Sequence, residues 1–163
     1  MPRAKARGTA NTARKVERRR RQESPVTSAE ALERGRRAFA RRAWGEALES
    51  LSLADRTAPL EAEDVELLGT SAYMLGRRDD LESLERAYHL HLDAGEALRA
   101  ARCAFWTGMV LSTRGELSRA TGWLGRAQRL VERERRDCVE RGYLLLPLIF
   151  RHESAGDYAA AAA

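Results

Sequence analysis

Between Ser28 and Ala155 the apolar residues of the chain recur at three- and four-residue intervals. That spacing gathers them on one face of a helix, and no stretch shows the two-residue alternation of a strand. The pattern predicts seven helices, near residues 28–41, 45–57, 61–76, 79–94, 96–114, 116–134 and 137–155. Thr27-Ser28-Ala29-Glu30 opens the first as a capping box, in which the threonine hydroxyl and the glutamate carboxylate take up otherwise unpaired amides of the first turn. Pro59 closes the second, because proline has no N–H to donate.

The helices come in pairs with a period. Gly35, Gly69 and Gly108 each stand twelve residues before the start of a new apolar run, at Ala47, Leu81 and Ala120. The step between runs is 34 residues, then 39, then 41 to Ala161, so a repeat near 34 carries insertions. In each unit a small residue on the first helix lets the second return close over it. Unit one has Gly35 and Ala38, a turn at Trp44-Gly45, and the stripe Ala47, Leu51 and Ala54. Unit two has Gly69 and Ala72, a turn at Leu75-Gly76-Arg77-Arg78, and the stripe Leu81, Leu84 and Tyr88. Unit three has Gly108 and Leu111, a turn at Arg114-Gly115-Glu116, and the stripe Ala120, Leu124 and Ala127.

These residues resemble the tetratricopeptide repeat (TPR), which the first unit follows most closely. The resemblance implies an all-α fold, a TPR-like α-solenoid of antiparallel helix pairs. In unit two, Glu85 and Tyr88 stand where the family favours an apolar and a small residue, so its second helix is expected to be rotated or shifted. The resemblance also implies that the first helix of each pair lines a concave face. The candidate partner-binding groove is then Arg36 and Phe39, with Glu66, Thr70 and Tyr73, and with Arg102, Phe105 and Met109. Arginine and aromatic side chains are frequent anchors, and Met109 suits an apolar ligand. The expected occupant is a protein or peptide partner, or a small-molecule effector.

Charge divides the chain in two. Residues 1–27 hold nine basic residues against Glu17 and Glu23, within a net charge of +5 for all 163 residues, so a basic arm precedes a nearly neutral body. With few apolar residues to offset an ordering cost of about 1–2 kcal/mol per residue, the arm is expected to be disordered in isolation. The domains expected are therefore a 1–27 Arg-rich arm and a 28–163 helical-repeat domain. Arg14, Lys15, Arg18, Arg19, Arg20 and Arg21 are the candidate nucleic-acid contacts. Lacking interleaved aromatics, they would bind phosphates without regard to base sequence. A solvated extension and an organellar presequence are the other readings of the arm.

The remaining chemistry is sparse. No apolar run approaches the roughly 20 residues that span a bilayer, and the basic N-terminus lacks the apolar stretch of a secretory signal, so a cytoplasmic protein without membrane insertion is expected. Cys103 and Cys138 have no CxxC partner, and His89, His91 and His152 show no metal-ligand spacing. Both cysteines are expected to be buried apolar residues on helices, the histidines packed or solvated, and no metal or cofactor is implied. Trp44, Trp106 and Trp123 are expected in the core. Asp79 with Asp80, and Asp64 with Glu61 and Glu63, imitate paired catalytic carboxylates but fall at helix starts, where they complement the helix dipole. A non-catalytic protein is expected. A GxxxxGK[ST] phosphate loop is absent from the sequence.

A second resemblance covers roughly Ala31 to Ala163. Leu32-Glu33-Arg34-Gly35-Arg36, Pro59-Leu60-Glu61-Ala62-Glu63-Asp64, Arg102-Cys103-Ala104-Phe105-Trp106, Gly122-Trp123-Leu124-Gly125-Arg126-Ala127 and Cys138-Val139-Glu140-Arg141-Gly142-Tyr143 resemble the helical-repeat region of actinobacterial LuxR-family transcriptional regulators. In that family the repeats sense or assemble, and a C-terminal helix-turn-helix reads DNA. Gly156-Asp157-Tyr158-Ala159 looks like the opening of an eighth helix, and Leu144, Leu145, Leu146, Leu148 and Ile149 form an apolar face before it, so a chain truncated at its C-terminus is expected. A free-standing TPR adaptor and a nucleic-acid-associated protein acting through its arm are the alternatives.

Overall fold

The computed structural model describes residues 27–77, 80–134 and 137–158. The nucleic-acid contacts expected on the arm, and Asp79, lie outside them. The described elements are α1 (Ser28–Ala40), α2 (Trp44–Thr57), α3 (Ala62–Met74), α4 (Asp80–Asp93), α5 (Ala97–Thr113), α6 (Leu117–Arg133), α7 (Val139–Tyr143) and α8 (Leu146–Ser154), with no strand among the described residues. Each of the first six helices packs on its neighbours in the chain, α1 with α2, α3 with α4 and α5 with α6 most extensively. One continuous apolar core runs through the pairs, from Ala31, Leu51 and Ala54 to Val65, Leu68 and Ala87, and on to Ala104, Phe105, Leu111 and Ala127.

The repeat glycines sit where the pairs close. A Cβ on Gly35 would lie 2.7 Å from Leu51 Cγ, and one on Gly108 would lie 2.8 Å from Leu124 Cγ; both leucines stand sixteen residues on. A Cβ on Gly69 would meet Leu84, fifteen residues on, at 3.1 Å from both its Cγ and its backbone nitrogen. Unit two is therefore short by one residue. Its buried stripe is Asp80, Leu84, Ala87, Tyr88 and His91, and Leu81, expected to begin the stripe, is only half buried. Ala87 takes the small-residue place that Ala54 holds in unit one, so Tyr88 is free to pack edge-on against Trp123 at 5.0 Å.

Other expectations are corrected locally. The first turn is Arg41–Ala43, and Trp44 and Gly45 belong to α2. In that turn Arg42 takes φ 59°, the left-handed position that Gly76, Gly95, Gly115 and Gly156 occupy at the later helix ends. Each of these ends closes alike: the amide three residues past the helix reaches back to its last turn, as Ala43 N–H does to Ala38 O at 2.9 Å and Glu116 N–H to Leu111 O at 3.0 Å. The seventh predicted helix is two. Pro147 would clash with the carbonyl of the residue four before it, Tyr143, and that is where α7 ends; in α8 Pro147 sits in the first turn, where its missing N–H matters least. Cys138 precedes α7 in extended backbone and is half buried, so it is not the buried helical residue expected. Gly156 turns the chain again, and Tyr158 resumes helical form. No helix among the described residues is long and apolar enough to cross a membrane.

Candidate partner-binding groove

A cavity of about 530 Å³ opens along α1, α3 and α5, and its lining comes from these first helices of each pair alone. Five of the residues singled out from the sequence meet there: Arg36 and Phe39 from α1, Glu66 and Thr70 from α3, and Arg102 from α5. Glu63, Asp64, Arg99 and Trp106 join them. Their helical spacing explains the convergence, since residues three or four apart share a helix face. A smaller apolar pocket of about 160 Å³ continues from Thr70 and Trp106 to Tyr73, Met74 and Leu84.

Two of the expected groove residues lie elsewhere. Phe105 is 1% exposed and stacks on Tyr143 at 5.6 Å, one position round α5 from Trp106, which carries the groove face instead. Met109 packs partly buried against the core. Conversely Trp106 and Trp44, expected in the core, are half buried; Trp44 lies edge-on to Phe39 at 5.3 Å, and of the three tryptophans Trp123 is the one in the core.

The groove is built on ion pairs that tie consecutive units. Arg36 grips Asp64 through two bonds of 2.7 and 2.8 Å, and Arg102 grips Glu66 through two of 2.7 and 2.9 Å. Arg99 pairs with Glu63. Hydrogen bonding to these carboxylates raises all three guanidinium pKa values further, so the groove keeps its cations at any physiological pH. Asp64, expected to serve the helix dipole, is in the first turn of α3, yet its side chain is 2% exposed and committed to Arg36. Asp80 is likewise 2% exposed and accepts from Arg114 at 2.7 Å.

Depth separates the charges. The Arg36 and Arg102 side chains are 47% and 31% exposed, with Asp64 and Glu66 beneath them at 2% and 15%, whereas Arg99 and Glu63 are both at the surface, at 39% and 62%. A guanidinium carries five N–H donors, and a bidentate pair uses two, so the outward-facing donors remain for a ligand.

Behind this wall, Glu66 takes part in a buried polar cluster that the sequence spacing does not reveal. His91 Nε2 lies 3.2 Å from Glu66 Oε2, and His91 Nδ1 lies 2.6 Å from Glu96 Oε2. Glu66, His91 and Cys103 each offer one ligand-type atom, and these atoms lie within 4.8 Å of one another. Burial, with the Glu66 carboxylate beside it, pushes the Cys103 thiol far above its ordinary pKa. His89, two residues from His91, faces outward.

No family model matches the chain, and no curated protein matches it. Among solved structures the chain is similar to the crystal structure of MamA, a TPR-like protein, with a TM-score of 0.60 and 19% sequence identity over 86% of this chain and 75% of that one. At that identity the likeness concerns the fold: helix pairs stacked in series make this a TPR-like α-solenoid.

Proposed function

We propose that the protein is a non-catalytic interaction scaffold whose groove along α1, α3 and α5 takes an extended, acidic peptide segment of a partner protein. The observation that carries this reading is the layering of two of the groove's ion pairs, with the partly exposed Arg36 and Arg102 guanidiniums over the buried carboxylates of Asp64 and Glu66, and with Arg99 beside them at the surface. Phe39 and Trp106 flank them with aromatic surface, and the neighbouring apolar pocket at Tyr73 and Met74 suits one large side chain of the peptide. TPR-like scaffolds are typically interaction modules without chemistry of their own, which favours binding over turnover. The LuxR-type context rests on its sequence strings alone, and the adaptor reading accords with the fold by itself.

The test is fluorescence anisotropy with an acidic peptide and its Asn/Gln counterpart. The acidic peptide is expected to bind, more weakly as salt rises. Arg99→Gln removes an exposed charge whose partner Glu63 is also exposed, and should weaken binding about tenfold while the melting temperature holds. Thr70→Trp, which fills the cavity, should abolish it. Equal binding of the uncharged peptide would refute the charge reading. Arg102→Ala is a poorer probe than Arg99→Gln, because it strands Glu66 against His91.

A further inference from the structure

We infer that Glu66, His91 and Cys103 form a metal site for a borderline-soft divalent cation, zinc being the best fit, that ties α3, α4 and α5 together. Three different donor types from three helices converge: a carboxylate oxygen, an imidazole nitrogen and a thiol sulfur, with His91 fully buried and Cys103 1% exposed. Carboxylate, imidazole and thiolate are all zinc ligands, at about 2.0–2.3 Å in tetrahedral geometry. Such bonds set neighbouring ligand atoms roughly 3.3–3.8 Å apart. The Glu66 Oε2 to His91 Nε2 separation is already 3.2 Å, and the remaining atoms, within 4.8 Å, need close by only about an ångström.

The second observation lies on the far side of the imidazole. Glu96 Oε2 sits 2.6 Å from His91 Nδ1, so Nδ1–H donates to a carboxylate while Nε2 faces Glu66 Oε2 at 3.2 Å. With the metal in place of the proton between Nε2 and Glu66, this arrangement would fix the ring and raise the basicity of the metal-binding nitrogen. The Ala94-Gly95 turn makes it possible: Gly95 at φ 75° sends the chain back, and Glu96 N–H bonds to His91 O at 2.8 Å. Charge favours a divalent cation too. Glu66, Glu96 and a Cys103 thiolate would face Arg102, which would keep its 2.7 Å bond to Glu66 Oε1 while its 2.9 Å bond to Oε2 gives way to the metal. Arg99, near Glu96 at 4.0 Å, is engaged by Glu63. The fourth position falls to water entering from the groove, which Glu66 lines.

Binding would release the thiol proton of Cys103 to solvent as the sulfur–metal bond forms, with no change of oxidation state.

The experiment is a titration of chelator-stripped full-length protein with Co²⁺, followed by Zn²⁺. One equivalent of Co²⁺ is expected to give tetrahedral ligand-field bands and a thiolate-to-cobalt charge-transfer band, both erased by Zn²⁺. Cys103→Ser should lose the charge-transfer band with its helical circular dichroism intact, and Cys138→Ser should keep it. Glu96→Gln should keep the band and weaken affinity about 10–100-fold. Absence of the charge-transfer band in the folded protein, or its dependence on Cys138 and not Cys103, would overturn the inference.

Discussion

Gly35 shows how one absent methyl group sets the distance between two helices. Leu51, fully buried, fills the space where a Cβ would stand, so Gly35→Ala trades a helix-propensity gain of about 1 kcal/mol against overpacking of about 1–3 kcal/mol. The expected result in urea denaturation is a net loss of up to about 2 kcal/mol. Gly122, on α6, has nothing within 4 Å of the same position, and Gly122→Ala should gain about 0.5–1 kcal/mol. Equal effects at the two sites would mean that close approach is not why Gly35 is glycine. Arg42 is the converse case, a side chain held at φ 59° where the later helix ends have glycine. Arg42→Gly relieves that strain and should stabilise by about 0.5–1 kcal/mol in the same assay.

Between elements, ion pairs hold what the apolar stripes position. Arg86 on α4 grips Asp55 on α2 through bonds of 2.8 and 2.6 Å, and Asp55 also accepts the Leu60 amide, which ties the loop leaving α2. Arg86 chiefly, with the Leu60 amide, holds the Asp55 carboxyl below its ordinary pKa. A carboxylate with a lowered native pKa contributes stability that is full above the unfolded value and lost as pH falls through the native one. Asp55→Asn should therefore cost about 1–2 kcal/mol at neutral pH, and the difference from wild type should shrink as acid is added. Chemical denaturation across the acid range checks this; a constant difference would place the effect in packing. The capping box behaves in the same direction, since bonding to Thr27 lowers the Glu30 pKa. The one-residue shortening of unit two is also an element-scale fact. It moves Leu81 out of the stripe and Asp80 into it, where Arg114 from the end of α5 meets the buried carboxylate.

Across the whole molecule, the helices were legible because each rests on local signals. The capping box at Thr27, the glycines that close helix ends and the three-and-four spacing of apolar residues need no knowledge of distant parts. The register of unit two was half legible: Glu85 and Tyr88 signalled a shift, but its size depends on how Leu84 seats on Gly69. Groove membership was legible wherever helix phase sufficed, as at Arg36, Glu66 and Arg102, and failed at Phe105 and Trp106, adjacent residues whose exchange is a matter of about 100° of phase. The His91 cluster was hidden because its members stand on three helices, at no spacing a motif would mark. The central claim is that the first helices of successive pairs form one acidic-peptide groove. Its most direct test is an NMR titration of the labelled protein with the acidic peptide. Amide shifts concentrated on α1, α3 and α5, around Arg36, Thr70 and Arg102, are the predicted result; shifts concentrated on α2, α4 and α6, or none at saturating peptide, would contradict it.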